Sequence, residues 1–275
     1  MVQTRWIQQL YRLSIVGLLA AGMVGCKSDS TTSPSGGSSV VPITSNLFPV
    51  VLGHHYAYTG WATAPSSTAS GARIPDPSNF YNATWTVGPM VPSPLGDGAA
   101  IVLVDSTHGP FGSGGSDTLI VRTLLARKDS ATGDLYFLQT LGSFKRAVGV
   151  PVGTHAADTL VWVAVARPSQ GVGSTGAQWT AYDSTFSSGG TTYRLQILGR
   201  IIEQTTVTDS SAAHATHTVY RSRTSRTITV GGLPVASDIE TSQLWLEPDI
   251  GPVQVRITED NESIGHWRFL TGRNF

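Results

Sequence analysis

The chain has 275 residues, of which only 13% are charged, and its formal net charge at pH 7 is zero. This balance gives no support to nucleic-acid binding, for which a strongly basic face is expected. Glycine and proline contribute 30 and 15 residues, and long Glu/Lys/Leu helical patterns are missing, so the composition favours strands and turns over helices.

The first 25 residues have the pattern of a secretory signal. Arg5 and Arg12 precede an apolar run over residues 13–24, and Gly25 stands before Cys26, which is the single cysteine of the chain. The run is well short of the roughly 20 residues that a transmembrane helix needs. Because a lone thiol in a secreted chain has no partner for an internal disulfide, we expect Cys26 to be modified.

Met23-Val24-Gly25-Cys26 resembles the bacterial lipobox, which is usually Leu-Ala-Gly-Cys. The resemblance implies that residues 1–25 are a lipoprotein signal peptide, cleaved before Cys26, and that Cys26 carries fatty acyl chains such as palmitate. Two or three acyl chains anchor a protein stably to a membrane. Lys27 follows in place of the aspartate associated with inner-membrane retention, which by the same resemblance favours the outer membrane of a bacterial cell envelope, on its periplasmic or surface face.

Residues 26–46 are rich in Ser, Thr, Gly and Pro and predict a flexible tether behind the lipidated cysteine. Residues 47–275 predict a single β-rich domain. The proline-rich stretches 62–79 and 88–98 are expected to be loops of this domain, serving either as binding loops or as variable surface insertions.

Segments with strand patterns follow one another along the whole domain, separated by turn signals. They are residues 56–61, 81–87, 99–104, 118–126, 135–141, 160–166, 178–185, 192–208, 216–230, 242–246, 253–258 and 265–270. This spacing predicts an all-β fold, an antiparallel barrel or sandwich of roughly ten or more strands. The two longest segments are expected to form one hairpin.

Two phrases of the domain resemble phrases of uncharacterised β-rich bacterial lipoproteins. Residues 47–58 are similar to Phe-Pro-Leu-x-x-Gly-Asn-x-Trp-x-Tyr, and residues 245–254 to Trp-x-Ala-Pro-Gly-Val-Gly-x-Val-Lys. The resemblance implies a β-rich fold and an envelope location, with no chemistry attached. The residues themselves predict structural roles, with Tyr56 and Tyr58 on one strand face and a tight turn over residues 248–251.

Two histidine pairs are candidate metal ligands. His54 and His55 are adjacent, and His214 and His217 are three residues apart. Side chains at both spacings point to opposite faces of a regular strand, so the second pair could converge only if the chain loops after Ser211. Zinc sites usually need three or four ligands, and we expect no metal and no other cofactor.

The sequence carries no motif of covalent or phosphate chemistry. A Gly-x-Ser-x-Gly elbow is missing, and the glycine-rich run 112–117 lacks the Lys-Ser/Thr of a phosphate loop, so it predicts a flexible loop. A converging pair of carboxylates, as in glycosidases, would be invisible in the sequence. The scattered candidates are Asp158, Asp183, Glu203, Asp209, Glu240, Glu247, Asp249, Glu259 and Asp260.

Three arginines lie in the strand predicted over residues 216–230. They are Arg221, Arg223 and Arg226, and the first two share a face. They form either a solvated face that guards an edge strand against pairing or a contact surface for anionic headgroups or glycans. The seven tryptophans also suggest sugar stacking, although core packing explains most of them.

Two functions remain open from the sequence. The first is a membrane-anchored, non-catalytic envelope lipoprotein whose domain has a structural role or binds a protein, a glycan or an apolar ligand. Binding of an apolar ligand would require a large apolar cavity. The alternative is a secreted hydrolase of envelope polymers or glycans, which needs two carboxylates or a nucleophile and a base converging in a cleft. The missing motifs favour the first, so we expect no enzyme and no catalytic residues.

Overall fold

The computed structural model describes residues 43–65, 73–110, 117–140, 145, 160–172, 178–257 and 265–275. The predicted signal peptide, Cys26 and most of the predicted tether lie outside the described residues, as does most of the glycine-rich run predicted as a loop. Within the described ranges, no helix is long and apolar enough to cross a membrane.

Twelve β-strands account for most of the described chain. They are β1 His55–Pro65, β2 Arg73–Pro92, β3 Ala99–Pro110, β4 Asp117–Lys128, β5 Leu135–Thr140, β6 Leu160–Ala166, β7 Gln178–Ser188, β8 Thr191–Thr208, β9 Thr216–Val230, β10 Leu233–Glu247, β11 Gly251–Ile257 and β12 Gly265–Arg273. A short 3₁₀ turn, Pro168–Gln170, follows β6. Each strand overlaps one of the segments predicted from the sequence.

The strands form one antiparallel sheet in the order β6-β5-β4-β3-β2-β1-β12-β11-β10-β9-β8-β7. Neighbours in the sheet are neighbours in the chain, except for β1 and β12, which pair and join the two halves. The edge strands β6 and β7 are consecutive in the sequence, and the sheet curls until they meet, giving a nearly closed up-and-down barrel. The antiparallel all-β prediction is confirmed, in its barrel form.

Side chains bridge the seam between the two edge strands. Trp179 of β7 is 4% exposed, and its indole N–H donates to the carbonyl of Ala164 in β6 over 2.9 Å. The hydroxyl of Ser222 in β9 donates to the carbonyl of Val165 over 2.5 Å. Val165 lies at a register shift of the β5–β6 ladder, where a bulged residue is left unpaired. The two bonds therefore satisfy carbonyls of an edge strand that has no further strand beside it.

The two proline-rich stretches are partly strand, so their prediction as loops was wrong in those parts. β1 continues to Pro65, β2 begins at Arg73 and β2 ends only at Pro92. The ladders that β2 forms with β1 and β3 contain register shifts, and such bulges tolerate proline, which has no N–H to donate. The tight turn after β2 is closed by the N–H of Ser93, which donates to Gly98 over 2.8 Å.

Aromatic side chains fill the inner face of the barrel. The rings of Tyr56 and Tyr58 stack with centroids 6.5 Å apart, and Trp85 meets Tyr58 edge-on at 5.8 Å. All three are at most 1% exposed. The prediction that the two tyrosines share a strand face is confirmed.

The barrel has two ends, which we call the tether end and the far end. At the tether end, residues 43–54 lead into β1 and bury Leu47 and Phe48, each 2% exposed. The turn after β10 lies here too, because the N–H of Asp249 donates to the carbonyl of Asn46 over 2.7 Å. The far end carries the β9–β10 turn, at the other end of β10. The predicted tight turn over 248–251 is confirmed.

Candidate functional site

Aromatic and arginine side chains form a band across the outer face of the barrel. Strand pairing places Phe80, Trp61 and Trp267 side by side on β2, β1 and β12. The pairing continues this row, and a second row beside it, across β11, β10, β9 and β8. We call the two rows the aromatic–arginine band, which comprises Phe80, Trp61, Trp267, Arg256, Gln243, Arg223 and Arg200 in one row and Phe269, Gln254, Trp245, Arg221 and Glu203 in the other. Gln243, Gln254 and Trp245 are buried, with exposures of 6%, 7% and 8%, so the other members form the part of the band that solvent reaches.

The aromatic half of the band is a platform of rings held edge to face. Trp61 meets Phe80 at 5.7 Å and Phe269 at 5.5 Å between centroids, with interplanar angles of 67° and 80°. Trp267 lies 5.4 Å from Phe269. Each such pair contributes about 0.5–1.5 kcal/mol beyond its area burial. Phe80 is nonetheless 42% exposed, whereas Trp61, Trp267 and Phe269 are half-buried, so solvent reaches the packed rings in part.

The arginine half continues from this platform. The guanidinium of Arg256 lies 5.4 Å from the centre of the Trp267 ring. Glu240, beside the row, accepts a hydrogen bond from Arg223 at 3.4 Å and forms an ion pair with Arg256 at 3.6 Å. In the second row, Arg221 pairs with Glu203 at 3.0 Å.

The charges of the band do not balance. Four arginines (200, 221, 223 and 256) stand beside two carboxylates (203 and 240) on this part of the described surface. The excess is two positive charges, and one of the four arginines, Arg256, lies directly beside the platform of rings. Arginine presents a planar fork of donors that matches a carboxylate or phosphate.

The strand of the three arginines is not an edge strand. β9 lies between β8 and β10, so the interpretation of these arginines as a guard against edge pairing was wrong. Arg221 and Arg223 share the outer face, as expected. Arg226 pairs with Ile197, which is 5% exposed, and therefore belongs to the inner face.

The histidine pairs predicted as metal candidates do not converge. His54 stacks on Phe275 at 3.9 Å, whereas the Nδ1 atom of His55 lies 3.1 Å from the hydroxyl of Thr86. His214 occupies a turn with a φ of 47°. Within the part of the chain that the structure describes, no group of three or more His, Cys, Asp or Glu side chains is arranged to hold a metal ion.

His217 lies between two carboxylates near the tether end. Its Nδ1 is 2.5 Å from Glu247 Oε2, and its Nε2 is 3.1 Å from Asp209 Oδ2. Burial lowers the pKa of His217, but the hydrogen bonds and charges of the two carboxylates outweigh it, so the pKa is raised above its usual value. Burial raises the pKa of Asp209, yet its hydrogen bonds with Ser211, His217 and Ala215 leave it lowered overall.

This arrangement joins one imidazole to two carboxylates. The ring of His217 lies between Asp209 and Glu247, because one carboxylate binds each ring nitrogen. The Asp209 carboxylate also accepts hydrogen bonds from the N–H groups of Ser211 and Ala215, which shapes the β8–β9 turn. Both carboxylates are therefore engaged by the same histidine, and Asp209 by the turn as well.

The other scattered carboxylates occupy separate places. Asp183 binds Arg194 through two bonds of 2.8 and 2.5 Å on the exposed surface, and Asp249 lies in the β10–β11 turn with a φ of 61°. Candidates outside the described residues are Asp158, Glu259 and Asp260.

A buried polar network inside the barrel was not predicted from the sequence. Arg268 is 1% exposed and donates to Asp105 at 2.9 Å, to Thr107 at 3.2 Å and to the Tyr81 hydroxyl at 3.2 Å. Burial lowers the pKa of Arg268, but the charges and hydrogen bonds of Tyr81 and Asp105 raise it by more than burial lowers it. The pKa therefore lies above its usual value, and the side chain stays a cation. With so little exposure the network supports the barrel and does not contact a ligand on the surface.

A hollow at the seam side of the band is small. It is lined by Gln178, Leu198, Gly199, Arg200 and Ser225 and measures about 30 Å³. That volume suits a water molecule or two, which is far below the several hundred Å³ of a typical ligand pocket.

Known proteins show only a remote likeness to this chain. No family model and no curated protein matches the chain. Among solved structures it is similar to a candidate lipoprotein from Parabacteroides distasonis ATCC 8503, with 11% identity and a TM-score of 0.39 over 84% of this chain and 99% of that one. It is also similar to a candidate exported protein with a YmcC-like fold from Bacteroides fragilis NCTC 9343, with 10% identity and a TM-score of 0.35 over 84% and 100%. Likenesses this remote carry no argument about function.

Proposed function

We propose that the chain is a lipid-anchored envelope lipoprotein whose β-barrel domain binds an acidic glycan, without catalysis, through the aromatic–arginine band. The observation that carries the proposal is the platform of exposed Phe80 and half-buried Trp61 and Trp267, which lies directly beside the guanidinium of Arg256. Anchoring through acylated Cys26, toward the outer membrane, rests on the lipobox resemblance and the single cysteine of the chain.

The chemistry of the band matches an acidic sugar polymer better than other partners. Aromatic rings bind the C–H faces of sugar rings, and guanidinium groups bind sugar carboxylates through two parallel bonds. A polymer that follows the curved wall also fits the geometry, because the first row crosses seven strands and the second crosses five. At about 4.8 Å between strands, the first row is roughly 29 Å long around the wall, which is the length of several sugar residues.

An apolar ligand inside the barrel has less support. The inner face is occupied by packed side chains such as Tyr58 and Trp85 and by the Arg268 network. A hydrolase also has less support, because the described Asp209 and Glu247 are held apart by His217. The absence of catalysis stays a prediction.

The anchor is tested by intact-mass analysis of the protein extracted from membranes, beside a Cys26→Ala variant. The expected mass begins at residue 26 and carries two or three acyl chains, and the variant loses them. A mature chain without acyl mass, or one that retains residues 1–25, would contradict the anchoring.

Glycan binding is tested with titration calorimetry on polygalacturonate, an acidic polymer, and on dextran, a neutral one. The double variant Trp61→Ala/Trp267→Ala should lose affinity at least tenfold, because the stacking platform is removed. Arg256→Gln should weaken binding of the acidic polymer and flatten its dependence on salt. Leu119→Ala, a 62% exposed position on β4 outside the band, is the matched control and should bind like the native protein.

Two results would overturn the proposal. Unchanged affinity in the double variant would show that the platform is not the binding surface. Equal affinity for the acidic and neutral polymers would show that the arginines do not recognise charge. Conversion of either polymer to shorter chains by the purified protein would favour the hydrolase alternative.

A further inference from the structure

The tether end of the barrel carries exposed apolar side chains on neighbouring segments. Val51 and Leu52 precede β1 and are 53% and 69% exposed, and Met90 near the end of β2 is 70% exposed. The N–H of Gly53 donates to the carbonyl of Val87 over 2.9 Å, which places the lead-in beside the last part of β2.

The carboxyl terminus adds an aromatic ring and a cation to the same end. Phe275 is 40% exposed, and its ring stacks on His54 at 3.9 Å. The guanidinium of Arg273 lies 5.3 Å from the centre of the Phe275 ring, and the side-chain amide of Asn274 donates to the carbonyl of Gly53 over 3.1 Å. The C-terminal residues are therefore attached to the lead-in.

We propose that this end of the barrel docks on the surface of the bilayer that holds the anchor, with Val51, Leu52, Met90 and Phe275 entering the headgroup region. The inference rests on the proposed lipid anchor. Aromatic and aliphatic side chains beside an arginine are the composition of interfacial membrane contacts, where the apolar groups enter and the cation meets anionic headgroups.

The length of the tether favours the bilayer over any other occupant of this surface. Residues 27–42 separate Cys26 from the described residues, and a flexible chain of this length has an end-to-end distance of roughly 22 Å. Residue 43 lies at the tether end, where its N–H donates to the carbonyl of Pro168 over 3.3 Å. The anchor therefore holds this end, and not the far end, close to the membrane.

The far end offers a matched comparison on the same strands. Leu233 and Val235, just after the β9–β10 turn, are 72% and 63% exposed. They begin β10, whose 15 residues end at the tether end, so the two ends are separated by roughly 46 Å. Exposed apolar side chains occur at both ends of the barrel. The two ends differ in their access to lipid only because the tether holds one of them near the membrane.

The test uses the full-length acylated lipoprotein in vesicles of phosphatidylethanolamine and phosphatidylglycerol. Because acylation occupies the thiol of Cys26, an introduced cysteine is the single free thiol for an environment-sensitive NBD probe. The probe sites are Leu52→Cys and Met90→Cys at the tether end and Leu233→Cys at the far end. Docking predicts a blue-shifted emission and quenching by doxyl-labelled lipids at the first two sites, with neither effect at the third.

The outcomes separate the docking from the anchor. An acylated protein whose probes at 52 and 90 remain unquenched overturns the docking and leaves the anchor intact. Equal quenching at all three sites also overturns it, because the barrel then lies along its side. A mass spectrum without acyl chains on the same sample overturns both proposals. Loss of quenching on detergent solubilisation is the control that the quenched probe contacts lipid and not a protein partner.

Discussion

Substitution of Gly199 by alanine tests whether the barrel is closed by side chains at its seam. Gly199 lies in β8 opposite Trp179 of β7. A Cβ at this position would lie 2.3 Å from atoms of the Trp179 ring, closer than real Cβ contacts come. Because the ring fills the space above Gly199, the alanine must displace it, and the displaced indole loses its bond to Ala164 at the seam.

The expected cost has two parts. Overpacking a tight site costs about 1–3 kcal/mol. Leaving a buried donor or acceptor without a partner adds about 1–3 kcal/mol. Gly199→Ala should therefore lower the free energy of unfolding by about 2–6 kcal/mol. Gly272→Ala in β12, where a new Cβ meets nothing within 4 Å, should have little effect and serves as the control.

A double-mutant cycle with Trp179→Ala isolates the contact. Urea unfolding followed by circular dichroism gives the free energy of each variant. In the Trp179→Ala background the ring is gone, so Gly199→Ala should cost almost nothing, and the coupling should equal its cost in the native protein, about 2–6 kcal/mol. Additive effects of the two substitutions would refute the reasoning, since they would show that the ring does not occupy the space over residue 199.

The remaining predictions concern charge and the tether end. Because the folded pKa of His217 is raised, the stabilisation that this residue gives the fold is fully present below its unfolded pKa of about 6.5. That stabilisation is lost as the pH rises through the folded pKa. The urea midpoint of the native protein should show this loss when it is compared with the midpoint of His217→Asn. Arg268→Met leaves the buried carboxylate of Asp105 without its cation and should lower the free energy of unfolding, measured by chemical denaturation, by about 3–5 kcal/mol. Adding Asp105→Asn should recover part of that loss. Additive effects of the two substitutions would contradict the ion pair. Gly251→Ala should destabilise the fold more than Gly232→Ala. Both glycines have a positive φ, but only a Cβ at residue 251 would lie 2.9 Å from atoms of Phe48 and Tyr56. Limited proteolysis within residues 43–54 should therefore accelerate in Gly251→Ala and not in Gly232→Ala.

The strands were predictable because their signal is local. Alternation and apolar runs define β6 and β9 to the residue, since each is bounded by turn residues. The loop prediction failed where proline occurs inside β1 and β2, because a bulge in the partner ladder accepts proline and leaves no mark in the sequence. The pairing of β1 with β12 joins opposite ends of the chain, and no local pattern encodes it.

The sequence showed the arginines and the aromatic residues of the band only as separate groups. Arg221 and Arg223 were recognised as sharing a face, but Trp61 and Phe80 precede them by more than a hundred residues, and Trp245 and Trp267 follow Arg221 by 24 and 46 residues. Only the cross-strand register places Trp267 beside Arg256 and Trp61. The Arg268 network was invisible for a related reason, since Asp105 follows an apolar run in β3 and gains its partner from β12, with two strands between them in the sheet.

The two phrases that resemble other lipoproteins meet at the tether end. The hydroxyl of Tyr58 donates to the carbonyl of Pro252 over 2.9 Å, and Asp249 donates its N–H to Asn46 over 2.7 Å. Gly251 is confined by Phe48 and by the hydroxyl of Tyr56. These residues form the joint between the tether and the barrel. Both phrases therefore coincide with the attachment of the domain, although Trp245 and Gln254 of the second phrase also belong to the aromatic–arginine band. The glycan contact proposed at Trp61, Trp267 and Arg256 uses residues that lie outside both phrases, so the resemblance neither supports nor opposes it.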